Sequence, residues 1–379
     1  MKVLIVTRNF PNKFSKHGGI FTFNRIKELL KQGIEVDVLL LNSCVSRKLG
    51  SRYLQKYNTK DLNLDNEVNV DVNVINFVNL PIFKDVFLSK AIQFYANKLK
   101  CDLVHFHFLW SVYGIKELAK INTPYVVTCH GSDIHQLPSK SQKEIKLNLW
   151  RLNHARHVIF VSNFLKDIAQ SIGFISDNFS TIYNGINLNM FNYIKTGEKE
   201  TNHVGYFGNL FPIKRVHLLP EIFKKVTQKI QCISFIIAGS GPELETLKKE
   251  VAQLKLNVTF LPKFEHKEFV ENLKMMDVIV MPSKLEGFPC IPLEAKAMGV
   301  PTVGSNNGGV PEVIMGDGAL IDDGPNMIND FAEAIVGLIK KPLNKDKMVE
   351  HAKQFSWENI IKDEINVYWD VLNRSTSGR

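Results

Sequence analysis

Two glutamates, Glu286 and Glu294, frame a strand-to-helix turn in the stretch Ser283-Lys284-Leu285-Glu286-Gly287-Phe288-Pro289-Cys290-Ile291-Pro292-Leu293-Glu294-Ala295. The apolar run 277–282 before it reads as a buried strand, and 295–299 after it reads as a short helix closed by Gly299. Glu286 falls in the loop. Glu294 falls near the first helical turn, behind Pro292, a residue type favoured at helix starts. Free backbone amides at such a turn attract anions, while carboxylates accept hydrogen bonds from hydroxyls. A ligand carrying both phosphates and hydroxyls fits that mixture. The alternative is that Glu294 only complements the helix dipole and Glu286 is solvated.

Other turns of the same kind recur. His17-Gly18-Gly19 follows the first strand and His130-Gly131-Ser132-Asp133 a later one, and Gly208-Asn209…Lys214 and Gly239-Ser240-Gly241 lie in the second half. Loop geometry explains any one glycine turn, and none matches G-x-G-x-x-G. Together, with Glu, His and Lys at the same strand ends, they point to a site for a polar, phosphorylated ligand. In such a site Lys214 could neutralise a diphosphate and Glu294 accept hydrogen bonds from ribose hydroxyls. His130 could bond a substrate hydroxyl or stabilise developing charge. His105 and His107, on alternate positions of one strand, read as hydrogen-bonded core or cleft histidines before a metal pair.

The elements that must position these residues follow from periodicity. A strand at 2–7 leads through a glycine loop to a helix at 21–32, with Phe23, Ile26, Leu29 and Leu30 at core spacing, and then to a strand at 36–41. This βαβ order implies a parallel sheet. Residues 42–66 are polar and basic without clear periodicity, and Val68, Val70, Val72 and Val74 alternate with polar residues as in a half-exposed strand. The pattern restarts at 203–207 after a polar stretch at 188–202, read as a linker. Two α/β domains result, 1–198 and 199–356, with helices ending the chain. The last helix carries Trp357, Ile360, Ile361, Ile365, Tyr368, Trp369 and Leu372 as an apolar stripe that needs a partner surface. Ligands of parallel sheets bind beyond the C-terminal strand ends, so two facing domains would form a cleft there.

Composition narrows the class. A chain of 379 residues with 45% apolar content accommodates two cored domains, and no run approaches the roughly 18–20 apolar residues of a membrane helix. Cys44, Cys101, Cys129, Cys232 and Cys290 are scattered without a C-x-x-C pair, which argues for reduced thiols in a cytosolic protein. The net charge is 47 − 38 = +9, and residues 1–60 hold twelve Lys/Arg against three Asp/Glu, so the whole excess sits there. A localised basic patch suggests an anionic partner, with a membrane surface or phosphorylated acceptor ahead of nucleic acid, because no nucleic-acid module accompanies it. A solvated lysine-rich face is the alternative.

The motifs taken in order resemble the retaining glycosyltransferases of family 4, with the GT-B fold, over essentially the full length. The most specific is Glu286-x7-Glu294 in its setting. Ala238-Gly239-Ser240-Gly241-Pro242, Asn184-Gly185-Ile186, Gly308-Gly309-x-Pro311-Glu312 and His130-Gly131-Ser132-Asp133 accompany it. The resemblance implies a nucleotide-sugar donor, most often a UDP-sugar, bound by the second domain. Glu294 would hold the ribose hydroxyls. Glu286, Pro289 and the amides of Gly287, Phe288 and Cys290 would lie along the donor sugar and diphosphate, with Lys214 and Asn209 at the diphosphate. Gly239, Gly241 and Phe264 would border the base. Gly18 and Gly19 would approach the diphosphate, His130 the donor sugar, and His17 and Asp133 the acceptor, a lipid-linked or other saccharide. The last helix, 357–379, would pack back on the first domain.

The expected activity is hexosyl transfer in cell-surface polysaccharide biosynthesis, in the cytoplasm and peripherally at the inner face of the membrane. Soluble transfer to a sugar- or inositol-phosphate, or a non-catalytic donor-binding subunit, is the alternative. No D-x-D triplet occurs, and the resemblance implies no metal and no other cofactor. One departure stands out: the family pattern has arginine where this chain has Asn209. Either Arg215 or another basic group supplies the missing charge, or the site runs with one cation fewer. The site is expected to remain active, because Lys214 and the helix N-terminus remain.

Overall fold

The computed structural model describes residues 1–379 except 16–17, 45–53, 63, 65–67, 79–82, 113–122, 194–201, 263–265 and 377–379. His17 and Phe264, expected to touch ligands, lie outside the described residues, as does much of the stretch read as a linker. The chain divides into two units, Met1–Gly185 with Trp357–Arg379, and Ile186–Ser356. The first unit therefore ends at Gly185 rather than at 198. A side chain at Gly185 would run into the Trp357 ring, and the Ile186 N–H donates to the Phe355 carbonyl at 2.8 Å. The outgoing and returning strands of chain are thus tied together at this point.

Among its described residues the first unit holds eight strands: β1 (Lys2–Thr7), β2 (Glu35–Cys44), β3 (Leu54–Asn58), β4 (Asp71–Val78), β5 (Leu103–His107), β6 (Tyr125–Cys129), β7 (His157–Phe160) and β8 (Phe179–Thr181). Their order is β3-β4-β2-β1-β5-β6-β7-β8, parallel except for the antiparallel β3/β4 pair. The central strands are buried on both faces, which is why they read as continuous apolar runs. β3 carried no such signal, because it is a polar, exposed edge strand whose Lys56 pairs with Asp71.

Helix Ile20–Lys31 buries Thr22, Phe23, Arg25, Ile26 and Leu29, one face at helical spacing. Helix Trp357–Thr376 belongs to this unit and buries Trp357, Ile360, Ile361, Glu364, Val367, Tyr368 and Val371. Trp369, read as part of the stripe, is exposed, since one residue past Tyr368 turns it out of the buried face.

The second unit is an all-parallel sheet of β9 (Asn202–Phe207), β10 (Ile233–Ala238), β11 (Val258–Leu261), β12 (Val278–Met281), β13 (Thr302–Ser305) and β14 (Gly318–Ile321). Its order is β11-β10-β9-β12-β13-β14. β14 escaped the sequence reading because it is short and begins at Gly318, where a side chain would overlap the Thr302 carbonyl. The strand order reverses between β9 and β12, and between β1 and β5 in the first sheet. Loops leaving neighbouring strands diverge at such points and open a crevice at the carboxyl ends. The Gly208–Lys214 loop follows β9, and the Glu286 loop follows β12. No helix among the described residues is long and apolar enough to cross a membrane.

Candidate active site

In the second unit, glycines let three loops close on one another. A side chain at Gly239 would overlap the Gly208 carbonyl oxygen, and one at Gly241 the Leu210 carbonyl oxygen. Both glycines have positive φ, a conformation that side chains resist. The Leu210 N–H donates to the Ser240 carbonyl at 2.9 Å, zipping the loop after β9 to the turn after β10. The Lys284 N–H donates to the Ile213 carbonyl at 2.8 Å, tying in the loop after β12. A single 3-10 turn, Pro212–Lys214, then aims Lys214 at Glu286, with Nζ and Oε1 2.5 Å apart. The Glu286 backbone is fixed from the far side. Its carbonyl accepts from the Gly309 N–H at 3.0 Å, and a side chain at Gly308 would collide with it.

The helix after this loop runs Cys290–Ala297, with Pro289 as its N-cap. Pro292 is therefore the third helical residue, tolerated because a first-turn N–H has no intrahelical acceptor. Glu294 lies in the second turn, and no acidic residue occupies the first. The helix-dipole account of Glu294 does not fit that position. Among the described residues the Glu294 carboxylate has no hydrogen-bond partner, and burial pushes it up to about 7. Gly287, Phe288 and Pro289 are buried, the Phe288 ring packing 6.1 Å from Phe355. Burial, with Glu294 and Glu286 nearby, pushes the Cys290 thiol up to about 12.

Asn209 is exposed, and its carbonyl accepts from the Tyr206 hydroxyl at 2.8 Å. Arg215, weighed above as a source of the missing charge, is paired with a carboxylate. Its guanidinium grips Asp323 with two bonds, at 2.5 and 2.8 Å, and Asn307 donates to the same carboxylate.

In the first unit, Gly18 and Gly19 close the loop after β1. A Cβ at Gly18 would lie 2.9 Å from Ser15 Oγ, and one at Gly19 would overlap the Asn9 carbonyl, so the fold of this loop leaves space for glycine at both positions. Strand alternation puts His105 and His107 on one face of β5, beside Thr128 and His130 at the end of β6. His107 Nδ1 lies 2.9 Å from His130 Nε2. Phe21 and Phe108 flank the His130 ring, at 4.8 and 4.6 Å between centroids. Phe108 holds φ 67 and ψ 133, a sparsely populated conformation for a side-chain-bearing residue, with its N–H on the Thr128 carbonyl.

Asp133 turns inward. Its carboxylate accepts from the N–H groups of Leu109, Gly131 and His130 at 2.9, 2.8 and 3.1 Å, the open amides around a short helix start. Burial pushes this carboxyl up to about 6, against those bonds. Asp133 thus holds the His130 loop in shape, where the sequence reading had placed it at the acceptor.

His105 and His107 are buried among protein groups, and no cluster of three or more His, Cys, Asp or Glu among the described residues could hold a metal ion. The sequence reading overlooked Phe21 as a support of the site, and His107 as a neighbour of His130. The one signal for His107 was its alternation with His105 on a strand that leads to a glycine-free turn.

Comparison with known proteins agrees with this fold. A family model for glycosyl transferases group 1 matches residues 193–355, and one for glycosyltransferase family 4 matches residues 18–190. The chain is 28% identical to N-acetyl-alpha-D-glucosaminyl L-malate synthase of Bacillus anthracis, over 82% of this chain and 85% of that protein. It is 27% identical to the Bacillus subtilis protein TuaC, whose name assigns it to teichuronic acid biosynthesis, over 82% of each chain. The fold matches Anabaena HepE, solved in complex with UDP, with a TM-score of 0.74 at 19% identity over 98% of this chain and 100% of that one. With two sheets of GT-B type and both family signatures in sequence, the chain belongs to the retaining glycosyltransferases of group 1, family 4.

Proposed function

We propose that this enzyme transfers a hexose-type sugar from a UDP-sugar, with retention, to a lipid-linked or saccharide acceptor in cell-surface polysaccharide biosynthesis. It acts in the cytoplasm, peripherally at the inner face of the membrane. The observation that carries the reading is the Lys214–Glu286 pair, 2.5 Å apart at the strand-order reversal of the second sheet, in the same unit as the unpartnered Glu294. A cation suits a diphosphate, and a carboxylate without a protein donor suits a ribose. The naming of TuaC for teichuronic acid and the +9 charge of residues 1–60 favour a polysaccharide made at an anionic surface.

In this reading Glu294 accepts hydrogen bonds from the ribose hydroxyls, and the zipped Gly239–Gly241 turn borders the base. Donor binding draws Lys214 from Glu286 to the diphosphate and leaves Glu286 for the sugar hydroxyls. Gly18 and Gly19 approach the diphosphate, and His130 hydrogen-bonds the donor sugar. The bond from the anomeric carbon to the diphosphate breaks, and charge grows on the leaving oxygen. Lys214 and the backbone N–H groups of Gly287, Phe288 and Cys290 stabilise that charge, and the leaving diphosphate takes the proton of the acceptor hydroxyl on the same face. With Asn209 uncharged and Arg215 held by Asp323, the amides carry more of this load. No divalent ion takes part, and turnover persists in EDTA; its abolition would contradict the scheme.

A thermal-shift panel of UDP- and GDP-sugars tests the donor assignment, since a ligand of the folded state stabilises in proportion to ln(1 + [L]/Kd). UDP-sugars should raise Tm, and the absence of any shift would overturn the reading. The name of the Bacillus anthracis relative, an L-malate glycoside synthase, favours a second reading in which the acceptor is small and soluble. Flotation with anionic liposomes separates the two. No binding, with full turnover on a soluble acceptor, selects the second.

A further inference from the structure

One carboxylate of the second unit gathers three loops at the carboxyl ends of its strands. Asp323 follows β14 and Arg215 follows β9, and β12 and β13 lie between those two strands in the sheet. The Arg215 guanidinium spans the gap. Its Nη1 donates to Asp323 Oδ1 at 2.5 Å and its Nη2 to Oδ2 at 2.8 Å, a two-pronged grip that a lysine cannot make. Asp323 Oδ1 also accepts from Asn307 Nδ2 at 3.0 Å, and Asn307 belongs to the loop after β13. Arg215 Nη1 lies 3.7 Å from Met327 Sδ, at the start of helix Met327–Lys340, which braces the guanidinium further.

The residues gripped by Asp323 are chain neighbours of the groups that hold Lys214 and Glu286. Arg215 comes directly after Lys214 and closes its 3-10 turn, with its N–H on the Pro212 carbonyl at 3.0 Å. Asn307 precedes Gly308 and Gly309, which fix the Glu286 backbone. The Glu286 loop leaves β12, the strand between β9 and β13, so the loops of those two strands flank it. Asp323 therefore clasps both flanks of the Lys214–Glu286 pair.

The backbone at Arg215 is under constraint. It holds φ 50 and ψ 36, the left-handed region, where a Cβ crowds the backbone. Glycine takes that conformation freely, whereas a residue with a side chain keeps it only where its surroundings hold it. What arginine adds at this position is the reach to Asp323. The Asp323 side chain is 48% exposed, and a pair at such a surface adds little to stability. Strain accepted for so little stability points to a contact kept for position.

We propose that Asp323 is a positioning residue, which through Arg215 and Asn307 sets the Lys214 turn against the Glu286 loop and so delivers Lys214 Nζ to the leaving diphosphate. Asp323 and Arg215 act through these neighbours and not on the donor. The assignment rests on the reading that Lys214 serves the diphosphate.

The test follows UDP release from the UDP-sugar that gives the largest thermal shift, with the full chain carrying Asp323→Ala, Arg215→Gly, both together, and Asp323→Ala with Lys214→Met. Asp323→Ala should lower kcat by about tenfold, as a sub-ångström displacement of a positioned group does. KM for the donor should move less than about threefold, because the loss falls on charge that grows only in the transition state. Arg215→Gly should match it, and the double variant should lose no more than either alone, since each breaks the same clasp. With Lys214→Met in place, Asp323→Ala should cost nothing further. Urea melts separate this from a role in stability: Arg215→Gly should unfold at or above the wild-type midpoint, because glycine sheds the left-handed strain.

Full turnover in Asp323→Ala overturns the proposal. Raised turnover there, with a loss in Arg215→Gly, makes Arg215 itself the cation at the diphosphate and overturns it too. So does a loss in Asp323→Ala that persists on top of Lys214→Met, or one that matches a fall in the urea midpoint. Should Arg215→Gly not fold, Asp323→Ala, at an exposed side chain, decides alone. An unchanged kcat in Lys214→Met overturns the diphosphate reading, whereas a lowered kcat there with full turnover in Asp323→Ala overturns the clasp alone.

Discussion

Replacing Glu294 by glutamine should remove a pH dependence from nucleotide-sugar binding. Burial pushes this carboxyl up to about 7, and no protein donor among the described residues stabilises its anion. Ribose hydroxyls donate to the ionised form, so binding releases a proton wherever the free protein carries one. With a free-state value of about 7, roughly one molecule in eleven is ionised at pH 6 and roughly ten in eleven at pH 8. Affinity should therefore rise about tenfold across that window, or about 1.4 kcal/mol, and level off above it. Titration calorimetry with a nucleotide-sugar measures this. A free nucleoside diphosphate is unsuitable, because its terminal phosphate itself titrates near about 6.

Glu294→Gln should flatten the profile and weaken binding at high pH by about 10- to 100-fold, the loss of charge-assisted hydrogen bonds. Stability moves the other way. An acid whose folded value is raised contributes stability that is complete below its unfolded value and is lost as pH rises through the folded one. Ionising Glu294 thus costs the free protein up to about 3 kcal/mol by pH 8, a cost that Glu294→Gln escapes in urea melts. A flat wild-type binding profile, or an unchanged slope in Glu294→Gln, would refute the assignment of Glu294 to the ribose.

Lys214→Met should lower kcat by about 100-fold or more, as loss of a cation from the leaving group does. The pair with Glu286 is partly exposed, so its loss should cost the fold no more than about 1 kcal/mol. Nucleotide-release rates and urea melts measure the two, and an unchanged kcat sinks the diphosphate role. Gly239→Ala should destabilise by more than about 2 kcal/mol, because its methyl meets the Gly208 carbonyl at a positive φ. A melt within error of wild type would show that the two loops are not zipped. Arg25→Met should destabilise by about 3–5 kcal/mol by stranding Glu364, and adding Glu364→Leu should restore much of the loss. Additive losses in the double variant would argue against a coupled buried pair.

The parallel sheets were legible in the sequence wherever strands are buried on both faces, as in Val3–Val6 and Val278–Met281. The edge strand β3 and the glycine-led β14 were not, since one is polar and the other four residues long. The glycine turns were legible because chain reversal and close approach are local demands on φ and on the missing Cβ. The start of the helix at Cys290 was not, because Pro292 is acceptable at more than one position of a first turn.

Local chemistry was therefore determined by the sequence alone: which strands face apolar surroundings on both sides, which turns need glycine, and which carboxylates and cations stand at strand ends. Tertiary structure decided how those groups are paired and charged. Lys214 meets Glu286 across 72 positions, His107 meets His130 across 23, and Arg25 meets Glu364 across 339. Asp133 is turned onto backbone amides, and Arg215 is committed to Asp323. Protonation and hydrogen-bond direction depend on burial and on neighbours brought in through space. Glu294 illustrates both halves: its place in the motif is a matter of spacing, but its proton near neutral pH is a product of the walls folded around it.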